Sequence, residues 1–582
     1  MSSEMLGKLG ASQEDTEFYT PMPPGYRKGH HKYVVVVGTV MSGLGKGIFS
    51  SSLAKLLQDK GLRVAPIKME GYINIDSGTL NPYRHGEVFV LDDGMETDMD
   101  LGTYERLLDQ DLSAANFTTN GQIMSAVLKK EREGSYLGRD VQFIPHVTGE
   151  VKLRLRELAV KSNADVVFVE VGGTVGDYEN TAYLEACRQL AYEEGEGSVV
   201  FVALTYVLEP NALGEQKSKA AQLGIKRLME VGIMPHIIAC RATNPVNEKV
   251  RQKISMATNV PMRRVVSMHD LESIYLVPEA LREASIDREV LTILNLHERV
   301  DQKNEDQART KWRWFVDHIG RARKDVTIAV TGKYTSLRDA YASIIKAVEH
   351  CGVHLDCDVQ LKWIDTTTLE ASNAARRLTD CHGIIVPGGF GSRGTEGKIE
   401  CIRYARENRV PYLGLCLGFQ MAVIEFARNV CGIVGANSSE FDPRSPAPVI
   451  DILPEQKKIE GLGGNMRLGG KDIILRPNTL VSRLFNNSTQ IRLRFRHRYE
   501  VDPKYIDTLE RHGLIFSGKA PNHPIMQVLE LPQEMHPFFL GTQAHPELTS
   551  RPLRPQPMFM GFIQAAMEYA ESPHPQGQTQ VV

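Results

Sequence analysis

Two successive series of short β-branched runs, each followed by glycines and a helical pattern, predict an α/β chain of two domains built on parallel sheets. The first series opens at Tyr33-Val-Val-Val-Val37 and the second at Val326-Thr-Ile-Ala-Val330. Between them the character changes to a charged, aromatic stretch, and 582 residues are too many for one hydrophobic core.

In the first series, Tyr33–Val37 is flanked by polar residues and reads as a strand buried on both faces. Glycines follow it, and in Ser50–Gln58 the residues Leu53, Leu56 and Leu57 fall at helical spacing. Asp165-Val-Val-Phe-Val-Glu170 and Ser198-Val-Val-Phe-Val-Ala203 repeat the buried-strand pattern. The second series continues through Gly383-Ile-Ile-Val-Pro387 and Tyr412-Leu-Gly-Leu415. The expected division is a flexible leader at 1–31, broken by Pro21, Pro23, Pro24 and Gly25, and a first domain at 32–296. A helical linker with Trp312 and Trp314 follows at 297–325, then a second domain at 326–571 and a disordered tail at 572–582. No sequence repeat relates the halves.

Composition narrows the function classes. Hydrophobic residues make up 42% and charged residues 24%, an ordinary globular mix. The net charge of −3 gives no global positive field for nucleic acid. No apolar run is long enough to span a bilayer, and the polar N-terminus lacks a signal-peptide core. The eight cysteines show no C-x-x-C spacing, which argues against zinc and disulfides and fits a reducing, cytoplasmic setting.

Gly38-Thr-Val-Met-Ser42-Gly43-Leu44-Gly45-Lys46-Gly47 lies between a strand and a helix. Glycines let the backbone approach phosphate oxygens, the helix N-terminus offers unpaired N–H groups, and Lys46 adds a full charge. The loop departs from G-x-x-x-x-G-K-[ST]: Gly47 replaces the hydroxyl residue and the first glycine is out of place. A glycine-rich turn before a helix is the plainer alternative. The missing hydroxyl leaves Mg2+ needing other ligands, which Asp98, Asp100 and Glu170 offer. Glu170 ends an apolar strand, where an acid is costly unless paired or metal-bound. Taken alone, Asp98 and Asp100 read more readily as a solvated acidic turn.

In the second series, Gly414-Leu-Cys416-Leu-Gly418 follows an apolar strand and has the layout of a nucleophile elbow. A helix N-terminus favours the thiolate. One cysteine alone is more often a buried core residue. His545-Pro-Glu547 supplies a base and a carboxylate to orient it, and Pro387-Gly-Gly389-Phe-Gly391 supplies backbone N–H groups for an oxyanion. His545 by itself is indistinguishable from an ordinary loop residue.

The set Pro-Gly-Gly, Gly-x-Cys-x-Gly-x-Gln and His-Pro-Glu, in that order, resembles the class I glutamine amidotransferases. The first half resembles the CTP synthase family in Ser42–Gly47, Tyr72-Ile-Asn-Ile-Asp76, His85-Gly-Glu-Val-Phe-Val90 and Glu96-Thr-Asp-Met-Asp-Leu-Gly102. Phe117-Thr-Thr119, Tyr136-Leu-Gly138, Gln142-Phe-Ile-Pro-His146 and Glu170-Val-Gly-Gly-Thr-Val-Gly-Asp177 continue it in order. This resemblance implies a P-loop-like, dethiobiotin-synthetase-like parallel-sheet synthetase domain and a flavodoxin-like glutaminase domain.

The resemblance also implies site residues. ATP would lie on Gly43, Leu44, Gly45, Lys46, Gly47, Ile48 and Asp100, with Mg2+ on Asp100 and Glu170. Lys68 would sit near the transferred phosphoryl group. UTP, or CTP as feedback inhibitor, would lie near Ser42, Asp177, Tyr178, Glu179, Lys217, Lys219, Gln222 and Lys253. Glutamine would meet Cys416, His545 and Glu547 in a site formed by Gly389, Leu417, Gly418, Phe419, Gln420, Glu440 and Arg498. A carboxylate for the substrate amine and a guanidinium for its carboxylate suit this ligand. Phe390 and Arg393 match positions associated with GTP, an activator in the family. His85, in a loop after the Tyr72 segment, matches a position lining the ammonia route; a surface histidine is the alternative. The implied reaction is phosphorylation of the UTP 4-oxygen by ATP, then displacement of phosphate by ammonia from glutamine. The family forms homotetramers and often filaments.

Departures cluster near the nucleotide residues. Gly38-Thr39 stands where Gly-Gly is typical, and Lys68-Met-Glu70-Gly71 where Lys-Leu-Asp-Pro is common. Ala220-Ala221 replaces Pro-Thr, and Ala257 occupies a position that is often aromatic. Three rivals remain: another glutamine-dependent synthetase, a catalytically weak CTP synthase-like paralogue acting in assembly or regulation, and a bare glutaminase with a scaffolding first half. The Tyr-Ile-Asn and Glu-Thr-Asp-Met-Asp blocks disfavour the first, and the intact key residues disfavour the others.

Overall fold

A run of valines has no polar face to turn to water, so it folds as a strand covered on both sides. In the computed structural model this is β1 (Lys32–Gly38), whose residues from Val34 onward are buried. The structure describes residues 19–572 except 137, 211–213, 322–323, 334–336 and 453–465. The described chain divides into two compact units: residues up to Thr79 with Asp100–Val316, and Leu80–Met99 with Asp317 onward.

In the first unit, β1 is joined by β2 (Val64–Glu70), β3 (Phe117–Thr119), β4 (Val166–Val171), β5 (Val199–Tyr206), β6 (Ile237–Ala242) and β7 (Val265–His269). They form one sheet in the order β3-β2-β4-β1-β5-β6-β7. Every pairing is parallel. The C-terminal ends of β2, β4, β1, β5 and β6 therefore lie side by side along one edge, where such sheets bind ligands. Helix α1 (Lys46–Asp59) starts after Gly45, whose φ of 79° a side chain would resist.

One expectation meets a different structure. Residues 19–31 of the expected leader are folded onto this unit. The Tyr19 ring lies 5.7 Å from that of His146 and 5.4 Å from that of Tyr136, and Arg156 lies over the Tyr26 ring. Residues 1–18 and the tail at 573–582 are outside the described residues. The expected helical linker is largely helical, over Gln302–His318; its Trp312 and Phe315 are buried and pack edge-on against Tyr275. Helix α2 (Met99–Leu108) and α3 (Gln302–His318) complete the elements that matter here.

The second unit carries β8 (Lys324–Gly332), β9 (Cys357–Asp365), β10 (Gly383–Val386) and β11 (Tyr412–Leu415). To these it adds β12 (Arg467–Leu475), β13 (Gln490–His497), β14 (Ile515–Lys519), β15 (Met526–Glu530) and β16 (Phe539–Thr542). The sheet order is β9-β8-β10-β11-β16-β15-β14-β12-β13. Strands β9 to β16 in that order pair in parallel, and the remainder continue antiparallel. The antiparallel extension has mixed polar and apolar strands, which a search for buried runs passes over. Helices α4 (Ala342–Leu355), α5 (Thr395–Glu407) and α6 (Leu417–Asn429) flank the sheet.

The segment Leu80–Met99, expected within the first domain, clusters with this second unit. Its Glu87 carboxylate accepts the backbone N–H and the hydroxyl of Ser343 at the start of α4, a favourable place for an anion. Arg492 holds Asp92, the Arg494 guanidinium reaches Val90 O, and Arg496 pairs with Glu96 at 2.7 Å. His85 closes a four-residue helix, Pro82–His85, rather than lying in a loop. No helix of the described residues is long and apolar enough to cross a membrane.

Candidate functional site

In the first unit, Val40, Gly43 and Gly45 take φ values of 73°, 75° and 79°, so the loop after β1 curls back before entering α1. Ser42, Gly43, Leu44, Gly45, Lys46, Gly47 and Ile48 thus sit on the sheet edge with the first N–H groups of α1. That is the geometry in which a helix N-terminus receives phosphate. Lys46 is buried, and its Nζ donates to Gly173 O at 2.9 Å. Burial and the neighbouring Lys68 ammonium depress its pKa.

Lys68 on β2 stands opposite Glu170 on β4 in the register of the sheet. Its ammonium is 2.6 Å from Glu170 Oε1 and also donates to Asp100 Oδ2, while Glu70 Oε1 lies 3.4 Å away. Tyr104 donates to the other Glu170 oxygen. Burial raises the Glu170 carboxyl pKa. Burial pushes Asp100 the same way, but the cations Lys68, Lys46 and Arg106 together outweigh it and hold that carboxyl low. Two hard carboxylates beside a phosphate loop fit Mg2+, which keeps water and phosphate as its other ligands. Among the described residues no group of three or more His, Cys, Asp or Glu is arranged to hold a metal.

Gly47 now has a reason. A β-carbon there would lie 2.7 Å from Asp100 Oδ1 and 3.0 Å from its carboxyl carbon. The hydroxyl residue of an ordinary phosphate loop would have to push this carboxylate aside.

The expected pyrimidine-nucleotide residues follow neighbouring strands. Asp177, Tyr178 and Glu179 follow β4, and Lys217, Lys219 and Gln222 follow β5. Lys253 lies on the helix Glu248–Thr258 after β6. Tyr178 is 95% exposed, so it has no packing role within this unit. Asp177 accepts the Thr174 N–H, Lys217 pairs with Glu215, and Gln222 bonds Ser218. Two departures are local packing. A β-carbon on Gly71 would lie 2.9 Å from Glu179 Cβ, and Thr39 Cβ lies 2.9 Å from where Gly224 would carry one.

In the second unit, Cys416 stands between β11 and α6 with φ 51° and ψ −100°, the strained turn of an elbow. His545 Nδ1 is 2.7 Å from Glu547 Oε1, and the ring and Cys416 line the same cavity. Burial opposes a charged ring, yet Glu547 and Cys416 together push the His545 pKa up to about 10. Gln543 Nε2 donates to Cys416 Sγ at 3.6 Å, and Gln420 Nε2 donates to Gln543 Oε1 and Tyr499 O. Gly388 packs closely: a β-carbon there would be 3.0 Å from His545 Cε1 and would press on the ring. A cavity in this unit is lined by Cys416, His545, Glu547, Gly388, Gly389, Phe390 and Arg496, with Pro82, Glu87 and Val88.

Glu440 Oε1 accepts the Gly391 N–H at 2.7 Å; burial raises its pKa, while Lys333 and Arg498 act against that. Leu417 and Gly418 begin α6 beside the nucleophile. Gly418 packs so close to Val386 O that no side chain fits. The Phe419 side chain is wholly inside the core, which leaves only its main chain for a ligand. Arg496, not singled out from sequence, places its guanidinium 5.1 Å from the Phe390 ring centre, and its carbonyl accepts from Cys416 Sγ. His85 is exposed and is not among the residues lining this cavity; nor is Arg393. Lys398 and Lys333 also escape the sequence reading. The one readable signal is Lys398 at the helical spacing of the buried Ile402 and Ala405.

Comparison with known proteins shows the family. Residues 32–296 match the CTP synthase N-terminus family, and residues 336–565 match the class-I glutamine amidotransferase family. A CTP synthase of Thermus thermophilus is 47% identical over 93% of this chain and 98% of its own. A CTP synthase of Thermococcus gammatolerans is 48% identical over 92% and 99%. A solved structure described as the Trypanosoma brucei CTPS glutaminase domain with bound acivicin is 36% identical, covering 42% of this chain and 94% of that one, with a TM-score of 0.40. The chain belongs to the CTP synthase family.

Proposed function

We propose that this chain makes CTP from UTP, ATP and glutamine, joining an ATP-dependent synthetase to a cysteine glutaminase. The observation that carries the reading is the presence, in one chain, of a phosphate loop facing Lys68, Asp100 and Glu170 and of a Cys416–His545–Glu547 triad.

In the glutaminase half, the Cys416 sulfur attacks the glutamine amide carbon. His545, oriented by Glu547, takes the thiol proton and passes it to the departing nitrogen, so ammonia leaves and a glutamyl thioester remains. Backbone N–H groups of Gly389 and Leu417 receive the oxyanion. Water then releases glutamate and restores the thiol. Glu440 and Arg498 recognise the amino and carboxylate groups of glutamine.

In the synthetase half, the loop Ser42–Ile48 holds ATP. Asp100 and Glu170 would hold the Mg2+ that neutralises charge on its phosphates. Lys68 stabilises the phosphoryl group as it moves to the uracil 4-oxygen of UTP. Asp177, Tyr178, Glu179, Lys217, Lys219, Gln222 and Lys253 form the pyrimidine-nucleotide region, where CTP would also act as feedback inhibitor. Ammonia displaces phosphate, leaving CTP, ADP and phosphate. GTP as activator through Phe390 and Arg393, a homotetramer that forms filaments, and a cytoplasmic location belong to the same reading.

The test supplies UTP, ATP and Mg2+ with either glutamine or ammonium and measures CTP. Formation from both donors is expected. Glutamine hydrolysis without CTP from either donor would sink the reading and favour the bare glutaminase. A finer prediction concerns Gly47. Gly47→Ser should weaken ATP binding by about tenfold or more, because the new side chain must displace Asp100. Nucleotide titration in the presence of Mg2+ measures this, and unchanged affinity would show that Asp100 is not where ATP and Mg2+ meet.

A further inference from the structure

We propose that Lys398 is a positioning residue of the glutaminase: its ammonium, buried behind the active site, holds the Pro387 carbonyl and so sets the Gly388–Gly389 backbone beside Cys416. The inference rests on the glutaminase reading above and adds to it a residue that does not touch the substrate.

The geometry is specific. Lys398 lies on α5 with 2% of its surface exposed, and its Nζ donates to Pro387 O at 2.7 Å. In a trans peptide the carbonyl of one residue and the N–H of the next point opposite ways. Drawing the Pro387 oxygen toward α5 therefore turns the Gly388 N–H away from the lysine. Gly388 is the residue against His545 and Cys416: its absent β-carbon would lie 3.0 Å from His545 Cε1 and 3.6 Å from Cys416 Cβ.

The rest of the loop is held from other sides. Lys333 donates to Phe390 O, and the Gly391 N–H donates to Glu440. Residues 387, 390 and 391 are thus tied down, and the two glycines between them are the part presented to the nucleophile. Glycines alone would leave that stretch with many backbone states; the ties select one.

The lysine is also costly to keep. The groups acting on it are Lys333, Cys416 and Cys401, none of them a carboxylate, and burial pushes its pKa down to about 7. An ammonium buried without an acid partner is destabilising. A methionine of similar length would fill the same space without that cost, so packing alone does not account for a lysine here.

The test uses the full-length protein. For wild type, Lys398→Met and Lys398→Gln, glutamine hydrolysis is followed as kcat and KM. Ammonia-dependent CTP formation is followed in the same preparations, together with alkylation of Cys416 by iodoacetamide on its own peptide by mass spectrometry. Alkylation is a displacement at carbon and forms no oxyanion, so it reports the thiol without the loop. The expected result in both variants is a fall in kcat for glutamine of about tenfold or more, because the oxyanion donors are displaced. KM, alkylation and ammonia-dependent synthesis should stay within about threefold of wild type.

Should the methionine variant fail to fold, the glutamine variant carries the test, since it stays polar but falls short of the carbonyl. Wild-type hydrolysis in a folded variant, or alkylation falling in parallel with hydrolysis, overturns the proposal. If the wild-type protein itself does not hydrolyse glutamine, the glutaminase reading fails and this proposal falls with it.

Discussion

Cys416→Ala is expected to abolish CTP formation from glutamine while leaving formation from ammonium within about threefold of wild type. The substitution removes one sulfur atom from a buried turn and keeps the β-carbon, so the elbow between β11 and α6 has no reason to rearrange. What is lost is the nucleophile, and losses of that kind exceed about 10³-fold because water has no comparable reactive thiolate to replace it. Phosphoryl transfer to UTP requires none of the residues around Cys416. The measurement is CTP formation with each donor in parallel. Glutamine-dependent activity surviving in the alanine variant would mean that another group releases the ammonia. Loss of both activities would mean that the thiol serves the fold.

Lys68→Met is expected to abolish CTP formation from both donors, by about 10³-fold, and to leave the Cys416 thiol as reactive toward iodoacetamide as before. Lys68 is the cation shared by Asp100, Glu170 and Glu70, and Glu170 is buried. Removing one partner of a buried charge set costs about 3–5 kcal/mol, since the remaining charges are left unpaired. The melting temperature should therefore fall as well, and Mg2+ should restore part of it by supplying positive charge to the same carboxylates. Thermal melts with and without Mg2+, beside the two-donor assay, separate the outcomes. A variant that keeps activity with ammonium would remove Lys68 from the synthetase chemistry. A fall in melting temperature that Mg2+ does not touch would argue against Asp100 and Glu170 as its ligands.

Local patterns reach far into this protein. The strands at Tyr33–Val37, Asp165–Glu170 and Val326–Val330 are readable because a continuous β-branched run has one stable use, a strand covered on both faces. The loop at Gly43–Gly47 and the elbow at Cys416 are readable because each combines a strand, glycines and a helix start within a short stretch. His545 and Glu547 are readable only together with the Pro-Gly-Gly and Gly-x-Cys-x-Gly-x-Gln motifs that they follow, and the structure keeps the two groups 2.7 Å apart.

Other features belong to pairs distant in sequence. The reason for Gly47 is the carboxylate of Asp100 on another helix, and nothing local distinguishes it from any turn glycine. The antiparallel strands β12 to β15 mix polar and apolar residues without regular alternation, and several of the polar ones, such as Arg494, Gln527 and Glu530, are buried, so their hydrophobic signal is diluted. The membership of Leu80–Met99 in the second unit depends on Glu87, Asp92 and Glu96 meeting Ser343, Arg492 and Arg496, contacts spanning 256 and 400 residues. Lys398 looks like one more helix lysine until the tertiary fold buries it against Pro387. By itself, then, the sequence determined the two α/β units, because hydrophobic pattern dictates them, and it pointed to the phosphate loop and the Cys416, His545 and Glu547 set through motifs that resemble known families. Only the tertiary structure decided which acids share Lys68, why Gly47 carries no side chain and what holds the loop beside Cys416, because burial and charge pairing are properties of residues brought together from far apart.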